Sequence, residues 1–214
     1  MKNSQHLAFL TIATALCAAG ADDTAERLIR ASTVFAEMTT PKGGIQPQQI
    51  AEADCVAVIP GFKKGAAVVG VGYGRGFISC RKDNAWSAPA AITLESGSLG
   101  VQIGGEEMDI VFVSRDKSRR SKLLSDRFAI GSDASAAWGN GKTAHADPNA
   151  QILFYGKTKG AFAGFGLDGA TIKPDDSGNK ALYGKIIRNS EIVAEMATPA
   201  AAEPLIEKLD QPNQ

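Results

Sequence analysis

Few residues in this chain could do chemistry, and their spacing decides which chemistries survive. AAWGNGKT at residues 136–143 fits a loose phosphate-binding loop, in which backbone amides wrap an anion that Lys142 neutralises. Such a loop needs a helix starting at the lysine, so that the helix N-terminus faces the phosphate. The continuation AHADPNAQ has a proline and no apolar period, so a surface turn is expected. GFGLDG at residues 164–169 is a formal GxGxxG but leads into ATIKP, which cannot open a long helix, and the dinucleotide fingerprint fails on that ground. His145 stands alone in a polar loop, too isolated to activate a serine or cysteine nucleophile. No GxSxG elbow and no His/Cys/Asp set at metal-ligand spacing occurs, so no catalytic residue, cofactor or metal site is expected. Glu106, Glu107 and Asp109 read as a solvated hairpin tip, with calcium binding as the alternative.

Glycine and the basic residues hold more information. In GVGYGRGFISC, Gly70, Gly72, Gly74 and Gly76 recur at the pleat period, so they share one face of a strand while Val71, Tyr73, Arg75 and Phe77 share the other. Four glycines on one face weaken a strand unless something approaches closely: another backbone, an aromatic side chain such as Trp86 or Phe162, or a ligand. Lys63 and Lys64 are expected in the turn IPGFKKGA, Arg75, Arg81 and Lys82 along and beyond the glycine strand, and Arg119, Arg120 and Lys122 on a helix. Such clusters either face anionic head groups or form an ordinary solvated surface.

The elements that must position these residues follow from periodicity. Residues 22–38 place Ala25, Leu28, Ile29, Ser32, Phe35 and Ala36 on one helical face, and PQQIAEAD from Pro47 predicts a short second helix. After Cys55, short apolar runs at hairpin-like intervals predict an α+β fold, with a mainly antiparallel β-sheet or partly closed β-barrel wrapped by the N-terminal helix and a central helix over residues 115–131. KKGAAVVGVGYGRGFI and TKGAFAGFGLDGATI echo each other faintly, as two equivalent strands or by chance.

The chain of 214 residues carries 23 basic and 23 acidic residues, so no global field draws it to nucleic acid. Lys2, the apolar run from Leu7 and the small residues Ala19, Gly20 and Ala21 predict a signal peptide over residues 1–21, cut after Ala21, and hence a periplasmic or secreted protein. Lipidation at Cys17 is the weaker alternative, because Leu16 stands where a small residue should precede it. Cys55 and Cys80 remain after cleavage, either paired in an oxidising compartment or free and buried. A domain over residues 22–190 and an Ala/Pro-rich tail over residues 191–214 complete the expected organisation.

IPGFKKGAAVVGVGYGRG, WSAPAAITLESGSLGVQIGGEEMDIVFV, IGSDASAAWG and YGKTKGAFAGFGLDG followed by ALYGK resemble the SYLF domain, also called the Ysc84-type actin-binding domain, over about residues 31–185. The resemblance implies a non-enzymatic module that binds phosphoinositides or other acidic phospholipids, here of the secreted bacterial single-domain type. Fungal relatives also bind actin, but export speaks against actin as a partner of this copy. Carried onto this chain, lipid binding is expected at Lys63, Lys64, Arg75 and Arg81, with Leu28, Ile29 and Phe35 on a helix that either inserts into the membrane or covers the sheet. Asp22, Asp23, Glu26 and Glu37 make that helix unlike a basic membrane-surface helix. The alternative is a structural or stress-related cell-envelope protein acting through protein contacts.

Overall fold

The computed structural model describes residues 15–66, 69–99, 104–131, 134–138, 151–158 and 169–212. Two helices, α1 (Ala15–Met38) and α2 (Pro47–Ala51), lead into a long hairpin of β1 (Cys55–Ala66) and β2 (Val69–Lys82). The two-residue β3 (Ala85–Trp86), β4 (Ala90–Leu99) and β5 (Gly104–Ser114) follow. A 3-10 turn (Lys117–Arg119) then runs into α3 (Arg120–Leu123), and four strands succeed it: β6 (Phe128–Ala129), β7 (Ala134–Trp138), β8 (Ile152–Thr158) and β9 (Thr171–Pro174). The chain closes with α4 (Asp176–Tyr183), α5 (Asn189–Glu195), a 3-10 turn and α6 (Glu203–Asp210).

The strands pair in the order β6-β9-β4-β2-β1-β5-β8-β7, antiparallel except for β7 with β8, and the sheet curls into a half-barrel. This is the α+β architecture that the sequence predicts. The central helix is shorter than expected: helical structure covers only Lys117 to Leu123, and Phe128 has already joined the sheet. Glu107 and Asp109 do not sit at a hairpin tip. They lie inside β5, which pairs with β1 on one side and β8 on the other, because the chain crosses over β2 and β1 between β4 and β5.

Strand alternation sends side chains into two cores. Cys55, Ala57, Ile59, Ile78, Cys80, Leu94 and Phe112 fill the inner face, which α3 and α5 help to close. Val56, Val58, Phe77, Val111 and Val113 fill the outer face beneath α1, α2 and α6. α1 supplies Leu28, Ala31, Phe35 and Met38 to that outer core at helical spacing. Leu28 and Phe35 are fully buried there, so their stripe covers the sheet, whereas Ile29, expected on the same face, turns to solvent. α6 packs on α1 through Leu205 and Leu209. α1 also runs across position 21, the expected cleavage point.

The approaching group behind the glycine strand is β1 itself. Residues 59–62 of β1 stand against only residues 74–76 of β2, so β1 carries one extra residue as a bulge, with Gly61 at φ +65°. The bulge pushes backbone and ring toward β2. A Cβ on Gly76 would lie 2.1 Å from the Val58 carbonyl oxygen, and one on Gly72 2.4 Å from the Phe62 ring. Pro60 sits within this bulge, where its missing N–H costs the ladder nothing. The Gly61 N–H donates instead to Asp109 Oδ1 at 2.8 Å, a side chain repairing the ladder that the bulge interrupts.

Of the glycine motifs, Ala136–Trp138 of the first lie in β7 and its remaining residues, like His145, fall outside the described residues. Gly169 is the one described residue of GFGLDG, and Thr171–Pro174 beyond it form a strand, not a nucleotide-binding helix. The echo segment after Thr158 falls outside the described residues until Gly169. Cys55 and Cys80 are direct partners across β1 and β2 and form a disulfide, which selects between the two expected states.

Three outcomes follow for stability. Gly76→Ala should cost about 2–4 kcal/mol or prevent folding, because its Cβ meets backbone that cannot move aside. Gly97→Ala, where a Cβ meets nothing within 4 Å, should change stability by no more than about 0.5 kcal/mol. Urea denaturation of both variants checks this. Closing the 25-residue separation between the cysteines should contribute about 3 kcal/mol, read as the stability lost when both are replaced by alanine.

Candidate functional site

The residues expected to meet lipid do not form one cluster. β2 carries Arg75 and Arg81 on its outer face with Tyr73 and Phe77, but six residues of extended strand separate the two arginines by about 20 Å. Arg75 is held in a network between elements. Its Nε donates to Asp175 Oδ2 at 2.7 Å and its Nη2 to Ser177 Oγ at 2.9 Å, while Nη1 lies 3.4 Å from Asp23 Oδ2. Arg27 of α1 joins from the other side, donating to Asp23 at 2.7 Å and to Asp175 at 3.4 Å, with its guanidinium over the Phe77 ring. The network thus ties α1 and β2 to the start of α4.

Electrostatics match this structural role. Burial raises the Asp175 pKa, but hydrogen bonds from Arg75, Ser177 and the Gly178 N–H outweigh burial and hold it below the usual carboxylate range. The Asp175 hydrogen bond in turn raises Arg75 above its ordinary value, against the effect of burial. Arg81 is spent differently. Its guanidinium stacks on Trp86 at 4.0 Å, and burial lowers its pKa. On the central helical segment, Arg120 binds Asp54 bidentately and Arg119 binds Asp116 at 3.1 Å.

Lys63 and Lys64 lie in strand β1, not in a turn, so they point to opposite faces. Lys64 takes the inner face with Phe62 and is half-buried. Lys63 takes the outer face, opposite Tyr73 on β2 and Glu107 on β5. It also lines a groove of about 570 Å³ between α1 and the β1 bulge, shared with Ile29 and Arg30 of α1. Of the four basic residues expected to meet lipid, Lys63 alone presents an exposed side chain on the helix-bearing face beside other accessible groups.

Of its apolar neighbours, Ile29 belongs to the helix expected to meet lipid, whereas the exposure of Val71 and Tyr73 escapes sequence reasoning. Ile29, Val71 and Tyr73 are 58%, 64% and 50% exposed, and they surround Lys63: Ile29 across the groove, Tyr73 directly opposite, Val71 one pleat further on. The period-2 pattern of GVGYGRG places Val71 and Tyr73 on the non-glycine face, but nothing in the sequence says that α1 ends its cover short of them. Ile186, at 72% exposed, sits apart between Lys185 and Ile187. No helix among the described residues is long and apolar enough to cross a membrane. Among them no cluster of metal-ligating side chains forms.

A family model described as Ysc84, Las17-binding protein actin regulator, matches residues 95–212. The chain is 31% identical over 189 residues to Protein YSC84 of Saccharomyces cerevisiae, covering 78% of this chain and 40% of that protein. It is 31% identical over 176 residues to an SH3 domain-containing protein of Schizosaccharomyces pombe, covering 78% and 41%. It is 29% identical over 194 residues to human SH3 domain-containing YSC84-like protein 1, covering 87% and 56%. The chain therefore spans about half the length of the curated relatives it matches. No solved structure matches it.

The Arg27–Asp175–Arg75 network has a measurable signature. Because the folded pKa of Asp175 lies below its unfolded value near 3.9, its contribution is fully present above about pH 4 and is lost as pH falls through the lowered folded value. Asp175→Asn should cost about 3 kcal/mol at pH 7, since it leaves buried Arg27 under-compensated, and should flatten the fall in stability below about pH 4. Urea denaturation at pH 7 and pH 3 checks both effects.

Proposed function

This chain belongs to the Ysc84 (SYLF) family, and on that premise we propose that it is a non-catalytic module that docks on acidic phospholipid surfaces after export. The observation that carries this reading is the grouping of exposed Ile29, Val71 and Tyr73 around Lys63 on one face. Apolar side chains that enter the head-group boundary contribute by burial, while adjacent cations meet phosphate, each adding about 1 kcal/mol near a charged bilayer. Arg30, beside Ile29 at the groove rim, is the second cation of this face.

Arg30 and nearby Lys157 are engaged in exposed ion pairs in the free protein: Arg30 with Glu26 at 3.2 Å, and Lys157 with Glu37 at 2.6 Å. Exposed pairs of this kind are worth about 0–1 kcal/mol, so exchanging a carboxylate for a lipid phosphate costs little. Leu28 and Phe35 would contribute only if α1 left the sheet, and both are packed in the outer core. Arg75 and Arg81 serve the fold first, through Asp175 and Trp86.

A second reading is favoured by the family description as a Las17-binding actin regulator: the same exposed face binds a protein. Co-sedimentation with filamentous actin distinguishes it from lipid docking.

Vesicle flotation tests the lipid reading. Binding should require phosphatidylglycerol, fail on phosphatidylcholine alone, and weaken with salt. Lys63→Glu should reduce it roughly tenfold, whereas Lys64→Glu, on the opposite face, should change it less than about twofold. Equal losses from the two variants, or undiminished binding by Lys63→Glu, would remove Lys63 from the interface.

A further inference from the structure

Away from the Lys63 face, the loop between α4 and α5 holds one apolar side chain out to solvent. Ile186 is 72% exposed, more than any other large apolar side chain among the described residues. Lys185 before it and Arg188 two residues on are exposed as well, and neither makes an ion pair among the described residues. Residues 179–190 read NKALYGKIIRNS, with three basic residues and no carboxylate, in a chain whose basic and acidic residues are equal in number. We propose that this loop is a second membrane contact, which sets Ile186 into the head-group boundary of an acidic bilayer while Lys185 and Arg188 meet lipid phosphates. The assignment rests on the docking reading above for the acidic bilayer, and on different residues for the contact.

Ile186 is exposed on a backbone that is tied down at both ends. α4 ends at Gly184, whose φ of +72° turns the chain and whose N–H donates to the Lys180 carbonyl at 2.9 Å. Tyr183 Oη donates to the Pro89 carbonyl at 2.7 Å, and Asn179 Nδ2 donates to Asn189 Oδ1 at 2.7 Å. Ile187 packs into the inner core, and its neighbour Ile186 is left outside. A side chain presented on a fixed loop loses little conformational freedom when a bilayer takes it up. Pro89 lies just before β4, whereas Tyr73 and Val71 pair with Glu95 and Gly97 further along that strand. Five to seven residues of strand therefore set the loop roughly 17–24 Å from the Lys63 face, too far for the two to share one head group.

Size and charge select the occupant. A stable protein interface buries roughly 1,000 Å² or more of matched surface, and the exposed residues Gly184, Lys185, Ile186 and Arg188 offer a fraction of that. An acidic bilayer needs no matching contour. One apolar side chain gains by burial at the boundary, and the cations beside it gain from the negative surface potential.

The test is flotation of the purified protein on vesicles of phosphatidylglycerol in phosphatidylcholine, with circular dichroism confirming each fold. Ile186→Asp should lower binding roughly tenfold, and joint replacement Lys185→Ala and Arg188→Ala should lower it by a similar factor that shrinks in high salt. The Arg188 side chain makes no capping bond to α5, so its removal spares that helix. Ile186→Trp should keep the wild-type affinity, because a bilayer accepts any apolar shape whereas a packed protein site would reject the larger ring. The added indole should be quenched by brominated phosphatidylcholine in vesicles that the protein binds. Undiminished binding by Ile186→Asp, or an unquenched Ile186→Trp on vesicles that it binds, would overturn the proposal. Loss in Lys63→Glu without loss in Ile186→Asp would do the same and leave the Lys63 face standing. The reverse pattern would sink the Lys63 reading and keep the loop, and a wild-type protein that does not float would remove both.

Discussion

The bulge at Pro60 and Gly61 is the constraint on which the rest of the structure turns. One extra residue in a strand reverses which face each later side chain takes. Before the bulge, Cys55, Ala57 and Ile59 point to the inner core; after it, Phe62 does. That change of parity sends Phe62 over the bare face of β2 and turns Lys63 outward. The alternating glycines of β2 are therefore the complement of the bulge. They admit the displaced backbone of Val58 and Ile59 and the ring of Phe62, at distances that no Cβ would tolerate. The interrupted ladder is repaired by Asp109 from β5, so three central strands share in one irregularity.

The outer face depends on a second interaction, the buried ion network at Asp175. Arg27 from α1 and Arg75 from β2 converge on this one carboxylate, and the N-terminal turn of α4 adds Ser177 and Gly178. A buried charge network of this kind is costly to break, because each partner removed leaves a charge in a poorly solvated place. Basic residues that look like a binding surface in the sequence are consumed in this way. Arg75 serves Asp175, Arg120 serves Asp54, and Arg81 lies over Trp86. What remains for a partner is smaller and of mixed charge: Lys63 and Arg30 among carboxylates, bordered by exposed apolar side chains.

Much of the architecture was legible from local pattern. Short apolar runs announced β1, β5 and β8, the period-2 glycines announced β2, the 3.6 period announced α1, and the missing helix after GFGLDG disposed of a dinucleotide site. These inferences hold because backbone geometry alone sets the spacing of side chains on each face. The helix expected over residues 115–131 was overestimated for the same local reason. Its apolar residues Leu123, Leu124 and Phe128 share helical spacing, yet pairing with β9 draws Phe128 into the sheet.

By itself, the sequence determined the fold class, the strand character of GVGYGRG, the family resemblance, and that something must press on the glycine face. Only the tertiary structure decided what presses there, because Phe62 reaches it through a bulge that no periodicity marks. It also separated Lys63 from Lys64, adjacent residues whose opposite directions depend on their being in a strand and not a turn. And it moved Glu107 and Asp109 from an expected turn to the wall of a groove, because the path from β4 to β5 crosses two strands, a topological fact invisible to local spacing.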